Sequence, residues 1–328
     1  MLATLLALVM LACLIAYAVL AGADFGAGIW DLVSRGDRQA AHRQALARAI
    51  GPVWEANHVW LIFLVVILFT CFPDAYARAS VALFWPLHLV LIGIVLRGAS
   101  FVFRAYASSS DAGREIWGSV FGASSAATPV LLGACLGAVS SGDLRAWMAP
   151  FPLMTGVLAL LISAYLAAVY LAWETSDPLI REDFRRRAIA VWWIAGAASI
   201  ATLVLAFFGA PRLWLGLVSW PGAALVGFGA LVAPVSYAAL RRGRLARARV
   251  LGAAQVVALL VGWAVAQWPY LIFPELTVDV AAAPHSTLQL TAVTLPFGLA
   301  AVLPSLWLLF KVFKGGSPAS RPPSSPAN

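Results

Sequence analysis

Of the 14 acids in this 328-residue chain, twelve fall in polar stretches or at the ends of apolar runs, and two, Asp24 and Glu55, stand inside such runs. A carboxylate in the middle of a bilayer costs roughly 3 kcal/mol or more, so intramembrane acids are candidates for function. Asp24 lies seven residues before the end of its apolar run, and Glu55 about five residues after the start of the next. At the rise of a helix, both are expected ~7 to 11 Å inside the same boundary of the membrane. Two carboxyls at matched depth on adjacent antiparallel helices would share or relay a proton, because like charges in a low dielectric do not both ionise cheaply. His58 follows Glu55 by one helical turn, and with Asn57 it extends the polar patch deeper. Uptake of protons from the cytoplasm is one reading of this constellation. In the other, each carboxyl hydrogen-bonds backbone or Asn57 and ties two helices together.

The remaining candidates carry weaker chemistry. His88, beside Pro86 in an apolar run, is a lone histidine, while His42 and His285 fall in loops and are expected to be solvated. Cys13, Cys71 and Cys135 stand singly, with no paired-cysteine or haem-attachment motif, and read as inert core residues. Gly22, Gly26 and Gly28 flank Asp24 at small-residue spacing suited to close helix approach. No strand precedes them and no Lys-Ser/Thr follows, which excludes a nucleotide-binding loop. Trp54 and Trp60, like most tryptophans here, read as packing or interfacial residues.

The elements that must position these residues are membrane spans. The chain is 62% hydrophobic and 11% charged, with mean hydropathy +0.89. A soluble domain of this size needs about 25% charged residues to cover its surface. The composition therefore excludes a soluble enzyme and predicts an all-α polytopic bundle of about nine transmembrane helices, near 5–31, 50–72, 79–103, 117–140, 151–173, 188–209, 218–240, 250–268 and 288–313. The first run continues past Trp30 without a basic stretch before it, so it is expected to be a retained span rather than a signal peptide. All but Arg78, Arg145 and Arg212 of the 22 Lys and Arg fall on alternate loops, which predicts a periplasmic N-terminus and a cytoplasmic C-terminus in a bacterial inner membrane. The net charge of +8 is thus a topology signal, and no nucleic-acid partner is expected. Residues 1–314 read as one transmembrane domain, and the Gly, Ser and Pro-rich 315–328 as a disordered cytoplasmic tail.

Two segments, YAVLAGADFGAG at 17–28 and GPVWEANHVWL at 51–61, together resemble subunit II of the cytochrome bd quinol oxidases. That family has a Gly-Phe-Asp-x-Gly-x-Gly pattern in span one and a Gly-Pro-x-Trp-acid-x-Asn-x-x-Trp-Leu pattern in span two. Pro52, Trp54, Glu55, Asn57 and Trp60 match the second. FPDAYA at 72–77 resembles a family turn, and RGASFVFR at 97–104 resembles the close of span three, with Arg97 and Arg104 at its ends. The strong motifs cover roughly the first third of the chain, and WPY at 268–270 is a looser echo.

The resemblance implies a subunit of an electrogenic quinol:O2 oxidoreductase in which haems b558, b595 and d, or b in place of d, are held by a partner subunit I. This subunit itself would bind no haem or metal. It would stabilise its partner and line a cytoplasmic proton path around Asp24 and Glu55. Small single-span accessory subunits and a structural quinone or lipid are compatible with it. Ala21 and Val102 stand where the family often has acids, and His58 where Gln or Glu is common. Either His58 substitutes as a proton carrier, or uptake lies elsewhere in the complex. The competing readings are a proton-coupled secondary transporter using the Asp24/Glu55 pair, and an independent haem protein using His58 and His88. Spans six to eight offer little polarity for a transported solute beyond Thr202, Ser236 and Gln255.

Overall fold

A computed structural model describes residues 1–50, 54–106 and 111–314. Within them the chain is a bundle of twelve helices with one short hairpin. Eight helices are long and apolar enough to cross a membrane: α1 (Leu2–Val33), α5 (Phe84–Tyr106), α6 (Asp111–Ser141), α7 (Pro150–Glu174), α8 (Pro178–Gly209), α10 (Trp220–Arg241), α11 (Leu245–Gln267) and α12 (His285–Lys314). The ninth expected span is α3 (Trp54–Cys71), joined at Phe72 to α4 (Pro73–Ala82) with a bend of 115°. Pro73 sits at the start of α4, where its missing N–H costs nothing, and the helices cannot run straight through it. The rest are α2 (Gln39–Ile50), the amphipathic α9 (Pro211–Val218), a single 3-10 turn (Leu144–Ala146), and the antiparallel pair β1 (Tyr270–Ile272) and β2 (Leu276–Thr277). Residues 315–328 lie outside the described residues.

The centre of the bundle is α7, which packs on α1, α6, α8 and α11. Its inward face carries Ser163, Ala164, Ala167, Ala168 and Ala172, all buried. Lipid tails are as apolar as leucine, so helices in a bilayer associate by close contact, and small side chains permit it. Gly26 of α1 uses that freedom fully: a Cβ there would lie 1.9 Å from the Ser163 carbonyl oxygen. A Cβ on Gly28 would meet the Ser125 hydroxyl of α6 at 2.1 Å, whereas one on Gly22 would make ordinary contact with Leu166 at 3.6 Å. The expected close approach is real at Gly26 and Gly28 and absent at Gly22. Cys13, Cys71 and Cys135 are buried free thiols.

The basic loops gather at one end of the bundle. There Arg43 and Arg104 reach Asp31, Arg38 reaches Asp183, and Arg185 donates to the Leu240 carbonyl. At the opposite end Arg78 pairs with Glu275, and Arg212 donates to the Trp268 carbonyl at 3.4 Å.

One sequence expectation is corrected here. The second span, expected from about residue 50, is α3 from Trp54, and α2 before it is a helix of its own. With Gln39, His42, Arg43, Gln44 and Arg48 along it, α2 is too polar to lie in lipid. His42 is not a solvated loop residue. It lies in α2 with its side chain 4% exposed, packed edge-on against Phe184 at 5.4 Å. Its Nε2–H donates to Asp183 at 3.0 Å, and its Nδ1 faces Arg187 Nη2 at 3.5 Å as an acceptor, an arrangement that only a neutral ring satisfies. Burial, reinforced by the Arg187 charge, pulls its pKa below the ordinary value against the pull of Asp183.

Replacing Gly26 by Ala forces α1 off the α7 backbone and should cost about 1–3 kcal/mol, read as a lowered melting temperature, while Gly22→Ala stays near wild type. Equal behaviour of the two variants would contradict the packing described. Because the His42 pKa is depressed, the unfolded chain takes up that proton first, so the stability held above the ordinary value near 6.5 is lost as pH falls. Melting temperatures measured from about pH 7 to pH 5 should fall less steeply in His42→Gln than in wild type.

Candidate intramembrane polar site

Helix α1 carries Tyr17, Asp24 and Asp31 at successive intervals of seven residues. Seven residues are nearly two turns, so the three side chains form one polar stripe, with neighbours about 10 Å apart along the axis. A stripe of this kind inside a bilayer must be satisfied by other helices, since no solvent is there to do it. Each member is.

Asp24 accepts a short hydrogen bond from the side-chain amide of Asn57 on α3. The Asn57 side chain is buried, so this contact ties α1 to α3 well inside the bundle. Arg97, from α5, donates through Nη2 to the Asp24 main-chain carbonyl at 3.1 Å and through Nε to Ser125 of α6 at 3.2 Å. It is 1% exposed, the largest fully buried side chain among the described residues. Its guanidinium lies between the rings of Phe25 and Phe121, 5.1 and 5.4 Å from their centroids. Planarity lets one guanidinium serve hydrogen bonds and two ring faces at once. A positive charge is thereby fixed within electrostatic reach of Asp24.

The next residue of α3 after Asn57 is His58. Its Nδ1 is 3.5 Å from the Tyr17 hydroxyl, and its ring lies 6.1 Å from that of Phe25. Trp60 packs against Tyr17 and Phe25, and its indole N–H is buried without a partner among the described residues. The third member of the stripe, Asp31, is 4% exposed and held by Arg43 Nε at 3.1 Å and Arg104 Nη1 at 2.5 Å.

The structure thus brings together Asp24, Asn57, His58 and Arg97, four of the residues that the sequence singled out. Glu55 and Trp54 lie in the first turn of α3, and their side chains, like Pro52 as a whole, lie outside the described residues. The residue of α3 that reaches Asp24 is Asn57. Arg97 and Arg104 are more than motif positions, since each neutralises or anchors a member of the α1 stripe. Sequence reasoning passed over Tyr17, Ser125, Asp31 and Arg43. The seven-residue spacing from Tyr17 through Asp24 to Asp31 was the available signal for the first and third. No local pattern points to Ser125 or Arg43.

No group of three or more His, Cys, Asp or Glu side chains capable of holding a metal occurs among the described residues. His88 is exposed and spends its Nδ1–H on the Phe84 carbonyl of its own helix at 2.8 Å. The polar site therefore offers a carboxyl, an imidazole and a phenol with a fixed cation beside them, and no metal-ligand set among the described residues.

A family model described as "Cytochrome bd terminal oxidase subunit II" matches residues 2–313. The chain is similar to the "Putative cytochrome bd menaquinol oxidase subunit II" of Bacillus subtilis (strain 168), 23% identical over 320 residues that cover 90% of this chain and 91% of the relative. It is also similar to the cytochrome bd-I ubiquinol oxidase subunit 2 of Escherichia coli (strain K12), 28% identical over 218 residues, or 62% of this chain and 54% of that one. In fold it resembles a chain in the structure of bd oxidase from Geobacillus thermodenitrificans, with a TM-score of 0.79, 21% identity, and coverage of 96% and 99% of the two chains.

Arg97→Lys keeps the charge but cannot serve both acceptors and both rings, so it should lower stability by about 1–3 kcal/mol. Arg104→Lys, at a site 26% exposed, should cost less. Thermal unfolding of the two variants side by side tests this, and a larger loss in Arg104→Lys would show that Arg97 is not the clamp.

Proposed function

The chain belongs to the cytochrome bd terminal oxidase subunit II family, and on that premise we propose that it is the non-haem subunit of a quinol:oxygen oxidoreductase and supplies protons to its partner. It is a multi-pass protein of the bacterial cytoplasmic membrane. The haems, and with them the electron transfer and oxygen chemistry, belong in this reading to subunit I. Reducing one O2 to two waters consumes four protons, and an electrogenic enzyme draws them from the cytoplasm. The end of the bundle where the arginines gather would face that side, as the positive-inside rule requires.

The observation that carries the proposal is the Asp24–Asn57 contact beside a buried Arg97 and a His58–Tyr17 pair. A purely structural tie needs one hydrogen bond between α1 and α3. Here a titratable carboxyl, an imidazole and a phenol follow one another inward along two helices, with a fixed cation to compensate a transient carboxylate in low dielectric. Glu55, in the first turn of α3 and nearer the basic end, would take the proton from water, Asp24 would pass it, and His58 would carry it onward in place of the Gln or Glu common in the family. Asn57 would position the Asp24 carboxyl. The outer faces of the spans suit a role beside a partner: none of the apolar window of α12 is buried within this chain, and 17% of that of α8 is. Subunit I and lipid would cover these surfaces.

In Glu55→Gln the shape and hydrogen bonding survive but the titratable proton is gone. Quinol oxidase turnover of the assembled complex should fall about tenfold or more, an added barrier of ~1.4 kcal/mol, with haem content unchanged. Wild-type turnover in this variant would sink the relay. Asp24→Asn should behave in the same way, while Asp24→Leu should also impair assembly. An active Asp24→Asn with a misassembled Asp24→Leu would make Asp24 an anchor rather than a carrier.

A further inference from the structure

At the basic end of the bundle, the turn that follows α1 and the start of α8 line an open cavity of about 360 Å3. Its walls carry four guanidinium groups, Arg35, Arg38, Arg186 and Arg187, against two carboxylates, Asp37 and Asp183, with His42 at the back. The carboxylates do not balance the arginines. Asp183 Oδ2 already accepts from Arg38 at 2.9 Å and from His42 at 3.0 Å, and the same carboxylate is within electrostatic reach of Arg187. Arg186 is shared with Glu182 at 2.9 Å. Arg35 makes no ion pair among the described residues, and Arg187 keeps a buried Nη1 without a hydrogen-bond partner.

Arg187 is also held in place. Its guanidinium lies over the rings of Trp30 and Phe184, 5.3 and 5.2 Å from their centroids, and it donates to neutral His42. A planar, pre-oriented guanidinium without a dedicated carboxylate is the group that recognises tetrahedral oxyanions by paired N–H donors. The N-terminal end of α2 opens at the same place, immediately after the cavity-lining residues 36–38, and its first turn contains no acid. A helix start adds N–H donors and a partial positive charge to such a site. The cavity lies where two spanning helices leave the apolar layer, which is the level of lipid headgroups.

We propose that this cavity binds a phosphate-type anion, the chemistry shared by the headgroup of an acidic phospholipid and by free orthophosphate. The anion would accept from Arg35, Arg186 and Arg187 and fasten the α1–α2 turn to the start of α8. The site is some distance along α1 from the Asp24 cluster and takes no part in the proposed proton path.

The test uses the complete membrane complex containing this chain, stripped of lipid in detergent, in wild-type form and as the Arg35→Gln/Arg186→Gln variant, which leaves the stacking of Arg187 on Trp30 and Phe184 intact. Melting temperature is followed while phosphatidylglycerol vesicles, phosphatidylcholine vesicles, or orthophosphate at constant ionic strength are added. The expected result is a rise with phosphatidylglycerol or with orthophosphate that is lost or clearly reduced in the variant. A rise with phosphatidylglycerol alone assigns the site to a lipid headgroup, and a saturable rise with orthophosphate alone assigns it to a free anion. Equal shifts in wild type and variant, a shift with phosphatidylcholine as large as that with phosphatidylglycerol, or no shift with any addition would overturn the proposal. Quinol oxidation by the same samples is recorded separately, so failure of the oxidase reading is visible independently of anion binding.

Discussion

A guanidinium buried in a membrane bundle has to be satisfied by protein, and the way Arg97 is satisfied sets the arrangement around it. It donates to the main chain of α1 at Asp24 and to Ser125 of α6, and its flat faces meet Phe25 and Phe121. One side chain from α5 thereby fixes the spacing of three helices. A displaced α5 would leave a guanidinium without its acceptors in low dielectric, which is expensive. With Arg97 in place, the Asp24 side chain is turned to α3, where Asn57 meets it.

Helix α1 can serve as this hub because it has two unlike faces. One face is bare: Gly26 and Gly28 let the backbone approach Ser163 on α7 and Ser125 on α6 more closely than any side chain would allow. Tyr17, Asp24 and Asp31 lie along a polar stripe and are met by His58, Asn57, Arg104 and Arg43. Tight dispersion contact on the bare side holds the helix, while the polar side selects its rotation, because a turn of the helix would expose two carboxylates to lipid. The same division of labour recurs at the basic end, where Trp30 both donates to the Ala164 carbonyl of α7 at 2.8 Å and supports Arg187.

The transport and haem-protein readings weighed from the sequence lose ground on particular residues rather than on general grounds. His88 is turned to its own helix and exposed, so it forms no pair with His58. Ser236, one of the few polar residues of the later spans, is consumed by Tyr165 at 2.6 Å in a buried hydrogen bond and lines no path. Asp24, Asn57, His58 and Arg97, from α1, α3 and α5, gather instead at one place within the spans.

The sequence by itself determined the nine apolar runs, the alternation of basic loops, and the three motifs that carry Asp24, Asn57 with His58, and Arg97. All are local properties: hydropathy needs only a window of about 20 residues, and motif matching only adjacent positions. The tertiary structure decided what those residues touch. That Asp31, apparently an ordinary helix-end acid, is buried under Arg43 and Arg104, that His42 is a neutral core residue beside Asp183 rather than a solvated loop histidine, and that Arg97 reaches Ser125 are facts about pairs 12 to 141 residues apart. Hydrophobic periodicity says which segments are helices in lipid. It does not say which helices are neighbours or how each is rotated, because that is settled by close packing and by the need to pair every buried polar group, both of which act only once the helices have met.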